Sequence, residues 1–310
     1  MKKGSKIFVA GGQSGLVGTA IVRALKTQGF TNIIVKTRKQ VDLLDQRQVD
    51  LFFKKEKPKY VFLAAALVGG IMANKTRKAD FIYNNLLIQN NVIHSSWKYK
   101  VKKLLFLGSS CIYPKLAPQP IKETSFMTGP LEETNDAYAV AKIAGIKMCQ
   151  SYNEQYKTNF VSVMPTNLYG PNDNFDLQSA HVLPALIRRF HEAKKTNKKE
   201  VILWGSGKAY RELLYVDDMA SACVFLMNNY NSSEIINIGS GKDLKIRELA
   251  QVVKKIVGYS GKIVWDASKP DGTPKKQLDV SKLFKLGWKP KISLKEGIKK
   301  EYRWFIENIK

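Results

Sequence analysis

The sequence predicts an α/β fold: a doubly wound parallel sheet joined by a smaller, interleaved C-terminal substrate domain. Three features point to it. Apolar runs of strand length alternate with amphipathic helical stretches through the first half of the chain, the pattern of parallel strands covered on both faces by crossover helices. A glycine-rich turn separates the first such run from the first such helix. After Pro165 the alternation loosens into loops rich in Pro, Gly, Asn and Asp, divided by further helices.

Taken in order, strands are expected at Lys6 to Ala10, Asn32 to Lys36, Tyr60 to Ala65, Lys103 to Gly108 and Phe160 to Pro165. Helices are expected near Val17 to Gln28, Gln46 to Glu56, Asp80 to Tyr99 and Asp136 to Tyr156, where apolar residues recur at helical spacing. In such a sheet ligands bind beyond the carboxyl ends of the strands. The second half carries helices near His181 to Ala193, Arg247 to Val257 and Leu294 to Glu307, while Val216 to Asn228 and Ile235 to Ile238 are expected to return to the first sheet. The first domain would thus take residues 1–170 with 212–240, and the second 171–211 with 241–310.

At 310 residues, with 44% hydrophobic and 25% charged, the chain can bury a large core. Its N-terminal segment reaches an apolar run after six residues and then a glycine loop. That fits neither a signal peptide nor a membrane span, so a cytoplasmic location is expected. Cys111, Cys149 and Cys223 are widely spaced and odd in number, which suggests neither a disulfide framework nor a zinc site, and no metal is expected. The net charge of +25 raises a nucleic-acid partner, but only nine of the 51 basic residues are arginine and the lysines are spread over the whole chain. Spread charge reads as a solvated lysine-biased surface that still attracts anionic ligands, with no nucleic acid and no membrane as partner.

Gly12-Gln13-Ser14-Gly15-Leu16-Val17-Gly18 has the form G-x-x-G-x-x-G between a strand and a helix. Glycines there permit a tight turn, close approach of backbone to a pyrophosphate and close helix–strand packing, the arrangement of a Rossmann dinucleotide site. The second strand ends Val35-Lys36-Thr37-Arg38-Lys39 without a carboxylate. An NAD site usually has an acid there for the ribose hydroxyls, so NADP (NADPH) is expected, with Arg38 as clamp for the 2′-phosphate. The competing reading of Arg38 is a solvated surface arginine. Asp42 would lie near the adenine or serve as an ordinary loop carboxylate.

Tyr138 and Lys142 are four residues apart, on one helical face. An adjacent ammonium is expected to lower the phenol's pKa, making Tyr138 an acid for carbonyl reduction. Ser109, at the end of a strand, supplies a hydroxyl for the same carbonyl oxygen. Cys111, two residues further on, would share its side if strand geometry continues. Cys149 and Cys223 read as core, and His94 and His191 as structural or exposed.

The glycine loop, strand-end Ser and Tyr-x-x-x-Lys together resemble the extended short-chain dehydrogenase/reductases. Longer strings, residues 64–71, 104–114, 164–171 and 266–274, are similar to the GDP-L-fucose synthases. That resemblance implies a two-stage reaction on GDP-4-keto-6-deoxy-D-mannose: epimerisation at C3 and C5, then reduction of C4 by NADPH. It implies Ser109, Tyr138 and Lys142 as reductase residues and Cys111 and His181 as the epimerase pair. It places cofactor contacts at Gly12, Gly15, Leu16, Val17, Gly18, Arg38, Leu107, Gly108, Ser109, Ser110, Tyr138, Lys142, Pro165, Thr166, Asn167, Leu168 and His181. Substrate contacts are implied at Arg189, Trp204, Arg211 and Asp271, and the two long helices imply a homodimer. Some members of the family carry a basic residue where this chain has Gln13 and Ser14, so NADP preference leans on Arg38. The alternatives are another sugar-nucleotide 4-reductase or 4-epimerase, or a non-catalytic dinucleotide- or nucleic-acid-binding module. Dehydratases of the superfamily use an Asp-Glu pair where this chain has Ser110-Cys111.

Overall fold

The computed structural model describes residues 1–269 and 273–309. The first half runs β1 (Ile7–Ala10), α1 (Leu16–Thr27), β2 (Ile33–Ile34), α2 (Gln46–Glu56), β3 (Tyr60–Leu63), α3 (Ile71–Thr76), α4 (Lys78–Lys98), β4 (Lys103–Leu107), α5 (Asp136–Tyr156) and β5 (Phe160–Pro165). It continues with β6 (Asn167–Tyr169), α6 (Val182–Lys195), β7 (Glu200–Trp204), β8 (Tyr210–Tyr215), α7 (Val216–Asn229), β9 (Ile236–Ile238) and β10 (Asp243–Lys245). The last elements are α8 (Ile246–Val257), β11 (Lys262–Asp266), β12 (Lys275–Lys276), α9 (Ser281–Lys285) and α10 (Leu294–Asn308).

Six parallel strands form the main sheet in the order β2-β1-β3-β4-β5-β9. Every residue of β1, β3, β4, β5 and β9 is buried, as parallel strands covered on both faces must be. From β1 the chain goes outward to β2 and then back to β3 on the other side, and this switch point is where a doubly wound sheet opens a crevice for ligands. The strand expected over Asn32 to Lys36 pairs only at Ile33 and Ile34. It is an edge strand, half-buried, and beyond Ile34 the chain leaves the sheet for the rim of the crevice. The short helix α3 was not expected from the sequence, whereas α2 and α5 have the bounds that their periodicity predicts.

Two apolar clusters lie on the main sheet and a third fills the space between α6, α8, α10 and β7, around Phe175, Phe190, Val253 and Phe305. The chain returns to the main sheet through β9, and α7 packs along α1, with Arg23 and Asp217 paired at 2.5 Å. Lys103 opens β4 fully buried and donates to the carbonyls of Leu226, Met227 and Tyr230 at 3.0, 2.8 and 2.5 Å. Its ammonium thereby satisfies the orphan carbonyls at the C-terminus of α7, although burial pulls its pKa down to about 8. Glu212 on β8 is also fully buried and ties that strand to the turn after β9 and to the segment after β12.

The three motif glycines have separate reasons. A Cβ on Gly18 would lie 1.9 Å from the Gly11 carbonyl oxygen, so only glycine lets α1 sit against the loop. A Cβ on Gly12 would lie 2.7 Å from Val35 Cγ1. Gly15, at the N-cap of α1, has φ of 80° and open space around it. Because backbone cannot give way as a flexible side chain can, Gly18→Ala is expected to lower stability by about 1–3 kcal/mol or more. Gly4→Ala, in open space, should stay within about 0.5 kcal/mol. Urea unfolding of the two variants checks the contrast, and equal midpoints would contradict it.

Candidate active site

A cleft of about 1300 Å³ opens at the carboxyl ends of the main-sheet strands and runs out between α6 and the β7–β8 region. All the residues expected to bind cofactor or substrate line it except two. Gly12 sits behind the loop against Val35, and Gly11 takes the lining position instead. Asp271 lies outside the described residues.

The glycine loop delivers the N-terminus of α1 to the cleft with no side-chain cap. Its first N–H groups and the positive end of the helix dipole are therefore available to an anion. The open space at Gly15 and the close packing at Gly18 give the shape a pyrophosphate needs, so the residues present fit a dinucleotide. Arg38 stands at the rim, three-quarters exposed, with Nε 3.1 Å from Asp42 Oδ2. An exposed pair of this kind is worth little, so the guanidinium can exchange its partner for a phosphate. Lys36 lines the same rim.

Ser109 follows β4 and caps a short 3₁₀ turn, Ser110–Ile112, that begins at once. Strand geometry therefore does not continue through Cys111. Ser109 and Cys111 come together because the turn folds back, with Cys111 N–H donating to Ser109 Oγ at 3.2 Å. Tyr138 lies on the first turns of α5, beside Ser109 in the cleft and edge-on to Phe81. Burial pushes its phenol up, the nearby Cys111 sulfur adds to that, and the polar Ser109 side chain opposes it.

The expected lowering of the Tyr138 pKa is not found, because burial pushes the phenol up. The Lys142 ammonium donates to the Leu107 carbonyl at 2.8 Å and is 5.8 Å from the Tyr138 ring centre. Burial pulls the pKa of Lys142 down to about 7. Tyr138 is thus held as a neutral phenol, the form that donates a proton, rather than being poised for ionisation.

Cys111 faces the cleft beside Lys276, whose Nζ is 3.3 Å from Sγ, and the Asn135 amide reaches the same sulfur at 3.4 Å. Burial pushes the thiol up. The charge of Lys276, hydrogen bonds involving Ser109 and Lys276, and the charge of Arg211 outweigh it, so the net shift is downward. His181 is the N-cap of α6, open to the cleft. Desolvation and then the Lys276 charge pull its imidazole below the usual range. The segment leading to His181 is fixed by Gly70, whose N–H donates to Ser179 O at 2.9 Å. A Cβ there would lie 2.8 Å from Ala180 O, so this glycine serves loop–loop packing.

Farther out, the Arg189 guanidinium lies 5.9 Å from the Trp204 ring centre, and Trp204 is half exposed. A core tryptophan would be buried; this one presents a face to the cleft. Arg211 on β8 donates to the Tyr210 and Thr273 carbonyls at 2.7 and 2.6 Å. Cys149 and Cys223 are fully buried, and His94 and His191 bond to Tyr152 and Tyr302 at 2.8 and 3.1 Å, all as expected. Sequence reasoning missed Lys276 and Asn135: one is a lysine among many, and the other precedes a helix without capping it. Among the described residues no helix is long and apolar enough to cross a membrane.

Residues 7–239 match the profile of the NAD dependent epimerase/dehydratase family. GDP-L-fucose synthase 1 of Arabidopsis thaliana is 59% identical over 307 residues, 99% of this chain and 95% of its own length. The GDP-L-fucose synthase of Escherichia coli K12 is 53% identical over 312 residues, 98% and 97% of the two chains. A solved GDP-mannoheptose C4 reductase from Campylobacter jejuni with NADP bound superposes with a TM-score of 0.92 at 46% identity, covering 99% of each chain. The chain belongs to the NAD dependent epimerase/dehydratase family and, within it, to the GDP-L-fucose synthases.

Proposed function

We propose that this protein converts GDP-4-keto-6-deoxy-D-mannose to GDP-L-fucose, inverting C3 and C5 and then reducing C4 with NADPH. The observation that carries the reading is the convergence, in one cleft, of the Ser109 and Tyr138 hydroxyls with Cys111 and His181. The first pair can hold a carbonyl oxygen, and the second can exchange protons at carbons beside it. Membership among the GDP-L-fucose synthases makes the keto sugar the substrate that fits this arrangement.

Residues 1–170 with 212–240 form the cofactor side, and 171–211 with 241–310 the substrate side. Gly15 to Gly18, Leu107 to Ser110 and Pro165 to Leu168 would cradle the dinucleotide, Arg38 its 2′-phosphate and Lys142 its nicotinamide ribose. When bound, NADPH supplies the hydride for C4. Tyr138 would give its proton to the C4 oxygen, and Ser109 would donate a second hydrogen bond to it. In the earlier stage the carbonyl acidifies the protons at C3 and C5. Cys111 removes one, the C–H electron pair passes to the C4 oxygen held by Tyr138 and Ser109, and His181, having taken up a proton from solvent as imidazolium, returns it on the opposite face. Arg189 and Arg211 suit the diphosphate as forks, and Trp204 offers an apolar face. Asp271 is assigned to the sugar nucleotide on family resemblance alone.

A homodimer in the cytoplasm completes the proposal. Its interface is α4 with α5, two 21-residue helices packed side by side that leave Tyr83, Val140 and Tyr156 exposed.

Arg38→Ala is expected to raise KM for NADPH about tenfold, the loss of one charge-assisted contact, and to leave KM for NADH unchanged. Steady-state kinetics with both cofactors measures this, and equal kcat/KM for the two in the parent enzyme would sink the NADP assignment. Tyr138→Phe should lower kcat for reduction by about 10²–10⁴-fold with NADPH affinity retained; an undiminished rate would mean that Tyr138 is not the acid. In heavy water without NADPH, the parent should take up deuterium at both C3 and C5. Cys111→Ser and His181→Asn should each lose most of that exchange. GDP-L-fucose formed at the parental rate by Cys111→Ser would make the cysteine a structural residue.

A further inference from the structure

Lys276 closes β12, and the parallel register of that strand against β8 sets it beside Arg211. From there its ammonium approaches Cys111 Sγ to 3.3 Å, while Asn135 Nδ2 approaches the same atom from the start of α5 at 3.4 Å. A thiol is a weak acceptor with a proton of its own to place, whereas a thiolate accepts only. Two N–H donors aimed at one sulfur, one of them a cation, make a cradle for the charged form.

The other ionisable groups around the sulfur do not cancel that cation. Arg211 on β8 adds positive potential, and burial holds Tyr138 on α5 neutral. His181, at the head of α6, is pulled toward its neutral form. Glu132 lines the same recess but is paired with Lys115 at 3.3 Å, and Lys275 is paired with Asp243 at 3.4 Å.

We propose that Lys276 is a positioning residue for epimerisation, holding the Cys111 sulfur as the thiolate that removes the proton beside the C4 carbonyl. The inference rests on the reading of Cys111 as the epimerising base. The step is a proton transfer. An S–H bond forms, the C–H pair enters the enolate, and reprotonation on the opposite face restores the ketone.

Iodoacetamide reads the thiolate directly, because Cys149 and Cys223 are fully buried and burial pushes both thiols up, that of Cys149 to about 12. Alkylation of Cys111 would be followed across pH in the parent, Lys276→Met and Lys276→Arg, with retained NADPH binding as the check on folding. Should Lys276→Met fail that check, Lys276→Gln supplies the neutral side chain. In the neutral variant the rate at pH 7 is expected to fall about tenfold or more and to recover toward about pH 10, where any thiol ionises. Lys276→Arg should stay within about twofold of the parent. Deuterium exchange at C3 and C5 should fall and recover in parallel. If the neutral variant's alkylation profile overlays the parent's while Cys111→Ser loses exchange, the proposal is overturned and the base reading stands. If Cys111→Ser keeps full exchange, both fall.

Discussion

The Glu212 carboxylate has no solvent exposure and accepts the backbone N–H groups of Gly241 and Leu278 at 2.7 Å each. Its own backbone carbonyl accepts from Thr166 Oγ1 at 3.3 Å and Asn167 Nδ2 at 2.8 Å. One residue thereby ties four separate segments to each other: the β5–β6 link that lines the cofactor side, β8 with Arg211, the turn after β9, and the chain just beyond Lys276. Burial pushes the carboxyl up while the N–H groups of Leu278, Gly241 and Ser240 oppose it. Hydrogen bonds to a charged acceptor contribute about 1.5–3 kcal/mol each, and a buried carboxylate stripped of them would cost several kcal/mol. Gly239 belongs to the same constraint, since a Cβ there would lie 2.2 Å from Glu212 Oε1. The junction thereby holds β8, with Arg211, and the chain just beyond Lys276 against the β5–β6 link.

On that framework the two halves of the chemistry can share a single oxygen. Ser109 lies beside Tyr138 in the cleft and meets Cys111 through the turn that it caps, so the groups that would receive the C4 oxygen adjoin the thiol that would work beside it. Charge separates their roles. Tyr138 lies where burial favours the neutral acid, and Cys111 lies a few ångströms from a cation that favours the base. The lysine-rich composition contributes locally where Lys276, Arg211, Arg189, Lys36 and Arg38 line one cleft, a field suited to drawing in an anionic nucleotide.

Local pattern made the sheet strands, α2 and α5 legible, and with them Tyr138, Lys142 and Ser109, because helical spacing and strand ends are properties of short windows. The edge strand at Ile33–Ile34 was overestimated, since apolar side chains extend past the point where pairing stops. The approach of Cys111 to Ser109 was anticipated for the wrong reason: nothing in the alternation marks the 3₁₀ turn that replaces the strand. Tyr138 and Lys142 share a helical face, but spacing alone does not reveal that the ammonium turns to the Leu107 carbonyl. Lys276 was out of reach altogether. It lies 165 positions from Cys111, and only the pairing of β12 with β8 brings the two together.

The way α7 covers α1 also bears on how the chain is made. The apolar side of α1, with Ala20, Ile21 and Leu25 fully buried, meets Met219, Cys223 and Leu226 in one cluster. Those partners emerge from the ribosome about 200 residues later, and at roughly 5–20 residues per second that leaves the first helix without its cover for about 10–40 s. β9, the outer strand beside β5, comes later still. The nucleotide-binding half of this protein is therefore begun at the N-terminus but finished only after much of the opposite half has been synthesised, and a nascent chain halted before residue 216 would present an unsealed helix to the chaperones.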